Sequence, residues 1–86
     1  QATTFTFVSS QDAEVTIKIY TVAGQLIQTL ANRFARSGFN MIEWDGRDVA
    51  GDLPANGVYL YKLIARSAAD TDASQKEIIG KLAIVR

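Results

Sequence analysis

Apolar and polar positions alternate with a period of two along most of the chain, which is the period of a β-strand. Thr4-Phe5-Thr6-Phe7 puts both aromatics on one face, and Ser9-Ser10-Gln11-Asp12 is a polar break behind it. Val15, Ile17 and Ile19 then alternate with Thr16, Lys18 and Tyr20, the pattern of an antiparallel strand with one buried and one solvated face. Its β-branched side chains suit a pleated surface. Phe39-Asn40-Met41-Ile42-Glu43-Trp44 reads as another strand, stopped by the turn signal Asp45-Gly46. Gly51, Pro54, Asn56 and Gly57 punctuate a loop, and Val58 to Ser67 follows as a long strand with Tyr59, Tyr61, Leu63 and Ala65 on one side. Val58, Leu60 and Ile64 make its other side partly apolar, which places this strand inside a sheet. Ala68 to Gln75 is small and polar, a loop or hairpin tip. Lys76 to Val85 closes the chain as a strand with Ile78, Leu82 and Ile84 in one register.

The stretch from Ala23 to Arg36 supports two readings. Val22, Leu26, Leu30 and Phe34 recur every four residues with Ile27 beside them, as on a short amphipathic helix. Alternatively the chain turns at Ala23-Gly24, where Gly supplies a positive φ, runs as a strand from Gln25 to Leu30, and loops through Ser37-Gly38. The pattern leaves these even. Short strands, regular turn signals and no long helix predict an all-β sandwich. Its core would hold Phe5, Phe7, Val15, Ile17, Ile19, Ile42, Trp44, Tyr59, Leu63, Leu82 and Ile84 between two sheets.

Composition narrows the chemistry more than the architecture. The 86 residues suffice for one domain, and a chain of this size buries only roughly 60% of its unfolded surface, enough for one modest core. Nine basic and nine acidic residues cancel, so no long-range field attracts a phosphate backbone or an anionic membrane, and neither nucleic acid nor membrane insertion is expected. No segment reaches the ~20 apolar residues that span a bilayer. The chain has no Cys, hence no disulfide, thiolate nucleophile or thiolate-bound metal, and no His to serve as general base or ligand. It starts at Gln1 with no initiator Met, which reads as a piece of a longer or processed protein.

Candidate chemistry is sparse. Asp45, Asp48 and Asp52 offer oxygen ligands of the kind Ca²⁺ takes. Their spacing is not that of an EF-hand, and Arg47 sits among them, so a solvated, turn-rich acidic loop is the simpler reading. Asp70 and Asp72 repeat the pattern more weakly. Glu43 and Asp45 form the nearest approach to a pair of acids for glycoside hydrolysis, but a domain this small has little room for a cleft. Ser9, Ser10, Ser37, Ser67 and Ser74 lie in no nucleophile-elbow sequence. Catalysis is not expected, nor is a cofactor. Tyr20, Phe34, Phe39 and Tyr61 are stacking candidates for a sugar ring, weighed against the greater use of aromatics as core and rim filling. Lys76, Lys81 and Arg86 mark the last strand as a guarded edge, or as contacts for a partner.

Several of these segments together carry a resemblance. Val15-Thr16-Ile17-Lys18-Ile19-Tyr20, then Ala23-Gly24-Gln25-Leu26-Ile27-Gln28-Thr29-Leu30, then Trp44-Asp45-Gly46-Arg47-Asp48 and Asn56-Gly57-Val58-Tyr59-Leu60-Tyr61, follow one another in a familiar order. They resemble the immunoglobulin-like domain named for the flagellar hook-capping protein, and are similar to the C-terminal sorting domains of the type IX secretion system. The likeness extends over nearly the whole chain, although the opening Gln1-Ala2-Thr3-Thr4 lacks the Pro-Asn-Pro-Phe-like start of many such domains.

The resemblance implies an immunoglobulin-like antiparallel β-sandwich of about six to seven strands, with a strand from Gln25 to Leu30. It implies a non-catalytic C-terminal module of an exported bacterial protein, secreted or at the cell surface. Partners would be the parent's other domains and secretion machinery, with the isolated domain monomeric. The alternative is a structural or adhesive module that scaffolds a filament or binds cell-surface carbohydrate. In the motif, Trp44 would seal one end of the sandwich with its indole N–H needing one acceptor, and Asp45-Gly46 would reverse the chain behind it. Gly57 would bend the entry to the long strand, and the Tyr59 hydroxyl would reach the rim.

Overall fold

The computed structural model describes residues 3–67 and 75–85. Six strands follow in order: β1 (Thr3–Ser9), β2 (Ala13–Thr21), β3 (Leu26–Ala35), β4 (Gly38–Trp44), β5 (Gly57–Ser67) and β6 (Gln75–Ile84). They form two antiparallel sheets, β1-β4 and β3-β2-β5-β6, and no described residue is helical. This is the expected all-β, immunoglobulin-like sandwich. β5 lies between β2 and β6, inside the larger sheet as its two-sided apolar pattern predicts.

The alternation of β2 organises the core. Val15, Ile17 and Ile19 are all fully buried, while Glu14 on the opposite face is exposed and Thr16, Lys18 and Tyr20 are half-buried. Ile17 sits opposite Leu30 on one side and Leu63 on the other, so three strands meet at one buried level. From the smaller sheet Phe5, Ile42 and Trp44 face them, with Phe5 paired to Ile42 across β1 and β4. Of the expected core, Phe7 and Leu82 are only partly buried, at its margin. Ala13, Leu30 and Ala35 belong to the core although the pattern did not mark them.

The ambiguous segment is a strand, and it runs five residues past Leu30, to Ala35, where a loop was expected. The helical reading fails because β3 carries two register shifts against β2, between Val15 and Ile17 and between Ile19 and Tyr20. Opposite the first lies Asn32 with φ 58°, a left-handed conformation that Asn tolerates better than most residues. An extra residue in one strand is a β-bulge, and it exchanges the two faces of that strand. Leu30 is therefore buried whereas Leu26 and Phe34 are 47% and 60% exposed, and Ala35 instead of Phe34 enters the core.

Tyr61 joins the two sheets. Its ring meets Phe5 of β1 edge-to-face, with centroids 5.1 Å apart at 61°, and it lies over its cross-strand neighbour Gly80. A Cβ added to Gly80 would come within 2.5 Å of the ring's Cζ and hydroxyl. Gly80→Ala is expected to displace the ring and lower stability by about 1–3 kcal/mol, the usual cost of overpacking. The value should fall toward the lower end because the contact is with the outer end of the ring. Chemical denaturation of the variant checks this; an unchanged midpoint would refute the packing argument.

Candidate functional site

The sequence motif around Trp44 builds a network of hydrogen bonds at one end of the sandwich. β4 delivers the indole between the sheets at 1% exposure, and its Nε1–H donates to the Arg47 carbonyl at 2.9 Å. Behind it the chain reverses: the Arg47 amide donates to Asp45 Oδ1 at 3.0 Å, and Gly46 takes φ 83°, which a Cβ would disfavour. The Arg47 carbonyl accepts a second bond from Gln28 Nε2 of β3 at 3.1 Å, and Val49 N–H donates to the Ile27 carbonyl at 2.9 Å. The loop after β4 is thus stitched to β3 across the end of the sandwich.

Asp48 organises the next turn. Its Oδ1 accepts from the amides of Ala50 at 3.0 Å and Asp52 at 2.9 Å, while its own N–H donates to the Asp52 carbonyl at 2.8 Å and its carbonyl accepts from Gly51 at 2.9 Å. Arg47 Nη1 donates to the Gly51 carbonyl at 2.9 Å. One oxygen of each of the Asp45 and Asp48 carboxylates therefore accepts from amides of its own loop, and Asp52 enters through its backbone. Among the described residues no group of three or more His, Cys, Asp or Glu side chains is arranged to hold a metal ion. Asp70 and Asp72 lie outside the described residues.

Gly57 opens β5 with φ 155°, at the bend where the chain enters the strand. Tyr59 is buried, and its hydroxyl donates to the Ala55 carbonyl at 2.7 Å, closing the far side of the same loop. At the opposite turn Asn40 holds residues 36–38: Arg36 N–H donates to Asn40 Oδ1 at 3.0 Å, and Asn40 Nδ2 donates to the Arg36 carbonyl at 2.7 Å. Ser37 N–H donates to Asp12 Oδ1 at 2.9 Å, tying this turn to the one after β1. Neither Gln28 nor Asn40 nor Asp12 was legible as a structural residue. For Gln28 and Asp12 the partner is 19 or 25 residues away in sequence.

The other candidates fall apart spatially or chemically. Glu43 and Asp45 are both exposed and share a shallow depression with Arg33, Gln28, Leu30 and Trp44, whose polar groups already serve the loop in part. Ser67 is buried on β5, Ser9 is half-buried, Ser10 and Ser37 are exposed on separate turns, and Ser74 lies outside the described residues. Tyr61 is engaged by Phe5 and Gly80, and Tyr20 is half-buried. Phe34 and Phe39 depart from the core-or-rim expectation, at 60% and 68% exposure. Phe34 is turned outward by the bulge, and Phe39 by the alternation that sends Ile42 and Trp44 inward.

Phe39 faces Val8 across the small sheet, and Met41 follows it on the same face; Val8 is 78% and Met41 67% exposed. These three side chains make an apolar patch on the outer surface of β1-β4. Lys76 and Lys81 are both exposed on β6, which is an edge of the larger sheet, and Arg86 lies outside the described residues. No helix among the described residues is long and apolar enough to cross a membrane.

Strand order and end-closing loop together define an immunoglobulin-like sandwich module whose distinctive residues hold its own backbone. Comparison with known families is consistent: the model of the FlgD Ig-like domain matches residues 1–69, and the chain belongs to that family. The match stops short of β6, so the likeness is less complete than the motifs implied. No curated protein and no solved structure was found to match the chain.

Proposed function

We propose that this domain is a non-catalytic C-terminal module of an exported bacterial protein, serving in sorting by secretion machinery of the type IX kind or in docking to the parent's other domains. The observation that carries this reading is the division of labour among its side chains. The motif residues Trp44, Asp45, Asp48 and Tyr59 make hydrogen bonds that close the sandwich, whereas three of the exposed apolar residues, Val8, Phe39 and Met41, form a patch on the outer face of the small sheet. A clustered, exposed apolar patch suits protein recognition better than chemistry. The protein would be secreted or held at the cell surface.

Deleting residues 1–86 from the parent is expected to leave the remainder folded and active but retained in the cell. Cell fractionation with an assay of the upstream domain checks both halves. Unchanged export would overturn the sorting role, and loss of upstream folding would favour docking. The family's hook-cap name supports a second reading, a scaffold within a filament, in which the same patch contacts neighbouring subunits.

A further inference from the structure

β6 is a long and regular edge strand of the larger sheet. It pairs with β5 in unbroken register from Gly57↔Ile84 to Arg66↔Gln75, and among the described residues no strand lies on its other side. The other edge of the same sheet, β3, is interrupted by two register shifts and a left-handed Asn32, features that discourage strand addition. β6 has neither. It also presents Ile78 and Ile79 at 53% and 67% exposure. A regular edge with exposed isoleucines is a template for another strand, and its charges select which strand.

We propose that β6 pairs antiparallel with β6 of a second copy of this chain, about a two-fold axis through Ile79, joining two four-stranded sheets into one. Ile84 is buried and Ile78 and Leu82 share its face, so Glu77, Ile79 and Lys81 lie on the outer face of the sheet. A two-fold axis that keeps both cores on the same side must pass through a residue position, because a one-residue slip would exchange the faces. Centred on Ile79, Glu77 stands opposite the partner's Lys81, and Lys81 opposite the partner's Glu77. Ile79 meets its own counterpart between these two ion pairs, and Ile78 stands opposite the partner's Gly80.

Neighbouring registers lose this complementarity. Centring on Ile78 or Gly80 leaves Glu77 and Lys81 opposite uncharged residues, and centring on Glu77 or Lys81 sets like charges face to face. Lys81, which reads as an edge guard in sequence, is thereby an attractive contact in the register centred on Ile79 and a repulsive one in the register centred on itself. The expectation of a monomeric domain gives way to a reversible dimer. The occupant is a second copy because the strand is complementary to itself, and β6 lies outside the segment shared with the family. The contact covers one strand edge, less than the ~800 Å² per partner of a standard interface, so association is weak and concentration-dependent.

The test is sedimentation velocity of the 86-residue chain from about 10 μM to about 1 mM, with circular dichroism to verify the fold of each variant. Glu77 and Lys81 are exposed, so Glu77→Lys and Lys81→Glu should both fold. Each single variant replaces two attractive cross-strand pairs with two repulsive ones and is expected to weaken dimerisation about tenfold or more. The double variant E77K/K81E restores opposite charges in the same register and should return to within about threefold of the parent chain. These two residues are four apart on one strand and do not face each other within a single copy, so rescue is specific to pairing between copies. A chain that stays monomeric at about 1 mM overturns the proposal and leaves the edge to a strand from a different protein. A dimer indifferent to the single changes, or a double variant that fails to recover, overturns it equally.

Discussion

Trp44→Ala is expected to cost about 3–5 kcal/mol, the range for truncating a large buried aromatic. A domain of 86 residues at roughly 0.05–0.15 kcal/mol per residue has a total stability of about 4–13 kcal/mol, so this single change removes a large share of it. Two losses combine. The indole, 1% exposed, leaves a cavity at the end of the sandwich that the surrounding strands cannot fully close. The Arg47 carbonyl also loses one of its two donors, keeping only Gln28. Trp44→Phe separates the terms, since it retains most of the ring and removes the N–H; it should cost about 1–2 kcal/mol, mainly for the lost hydrogen bond. Urea denaturation followed by circular dichroism is the appropriate measurement, because Trp44 is the sole tryptophan and its fluorescence disappears with it. If Trp44→Ala leaves the midpoint where it was, the indole does not seal the sandwich.

Ile17→Ala should cost about 2–5 kcal/mol, close behind. Ile17 is fully buried on β2, flanked in register by Leu30 and Leu63, so a vacancy there opens between three strands of one sheet with the second sheet above. Ile17→Val removes one methylene and should cost about 0.5–1.5 kcal/mol. Glu14→Ala, on the solvated face of the same strand, should stay within about 0.5 kcal/mol. The contrast between faces is the point of the measurement. Equal costs at Ile17 and Glu14 would mean that the period-two alternation does not set the core.

Legibility differed between elements for a physical reason. β2 announces itself because it runs straight beside two neighbours, so every second residue keeps its face from Ala13 to Ile19. β3 does not, because its bulges exchange the faces: Leu26, Leu30 and Phe34, four apart, end up out, in and out. That exchange also explains why Phe34 is exposed and why Ala35, a weak hydrophobic signal, lies against Ala13 in the core. In the loop, Asp45-Gly46 was readable because its hydrogen bond spans two residues. The requirement of the Trp44 N–H for one acceptor was readable as well, from the chemistry of a buried indole.

Sequence alone therefore determined the sandwich, most of its buried residues, the turn behind Trp44 and the absence of Cys and His chemistry, since each of these rests on local alternation, turn propensity or composition. Only the tertiary structure decided how far β3 extends, which phenylalanines reach solvent, that Gln28 tethers the Arg47 carbonyl, and that among the described residues β6 is an edge strand with β5 as its one neighbour. Those outcomes depend on register and on contacts between residues distant along the chain, and a side chain carries no record of its cross-strand partner until the strands have met.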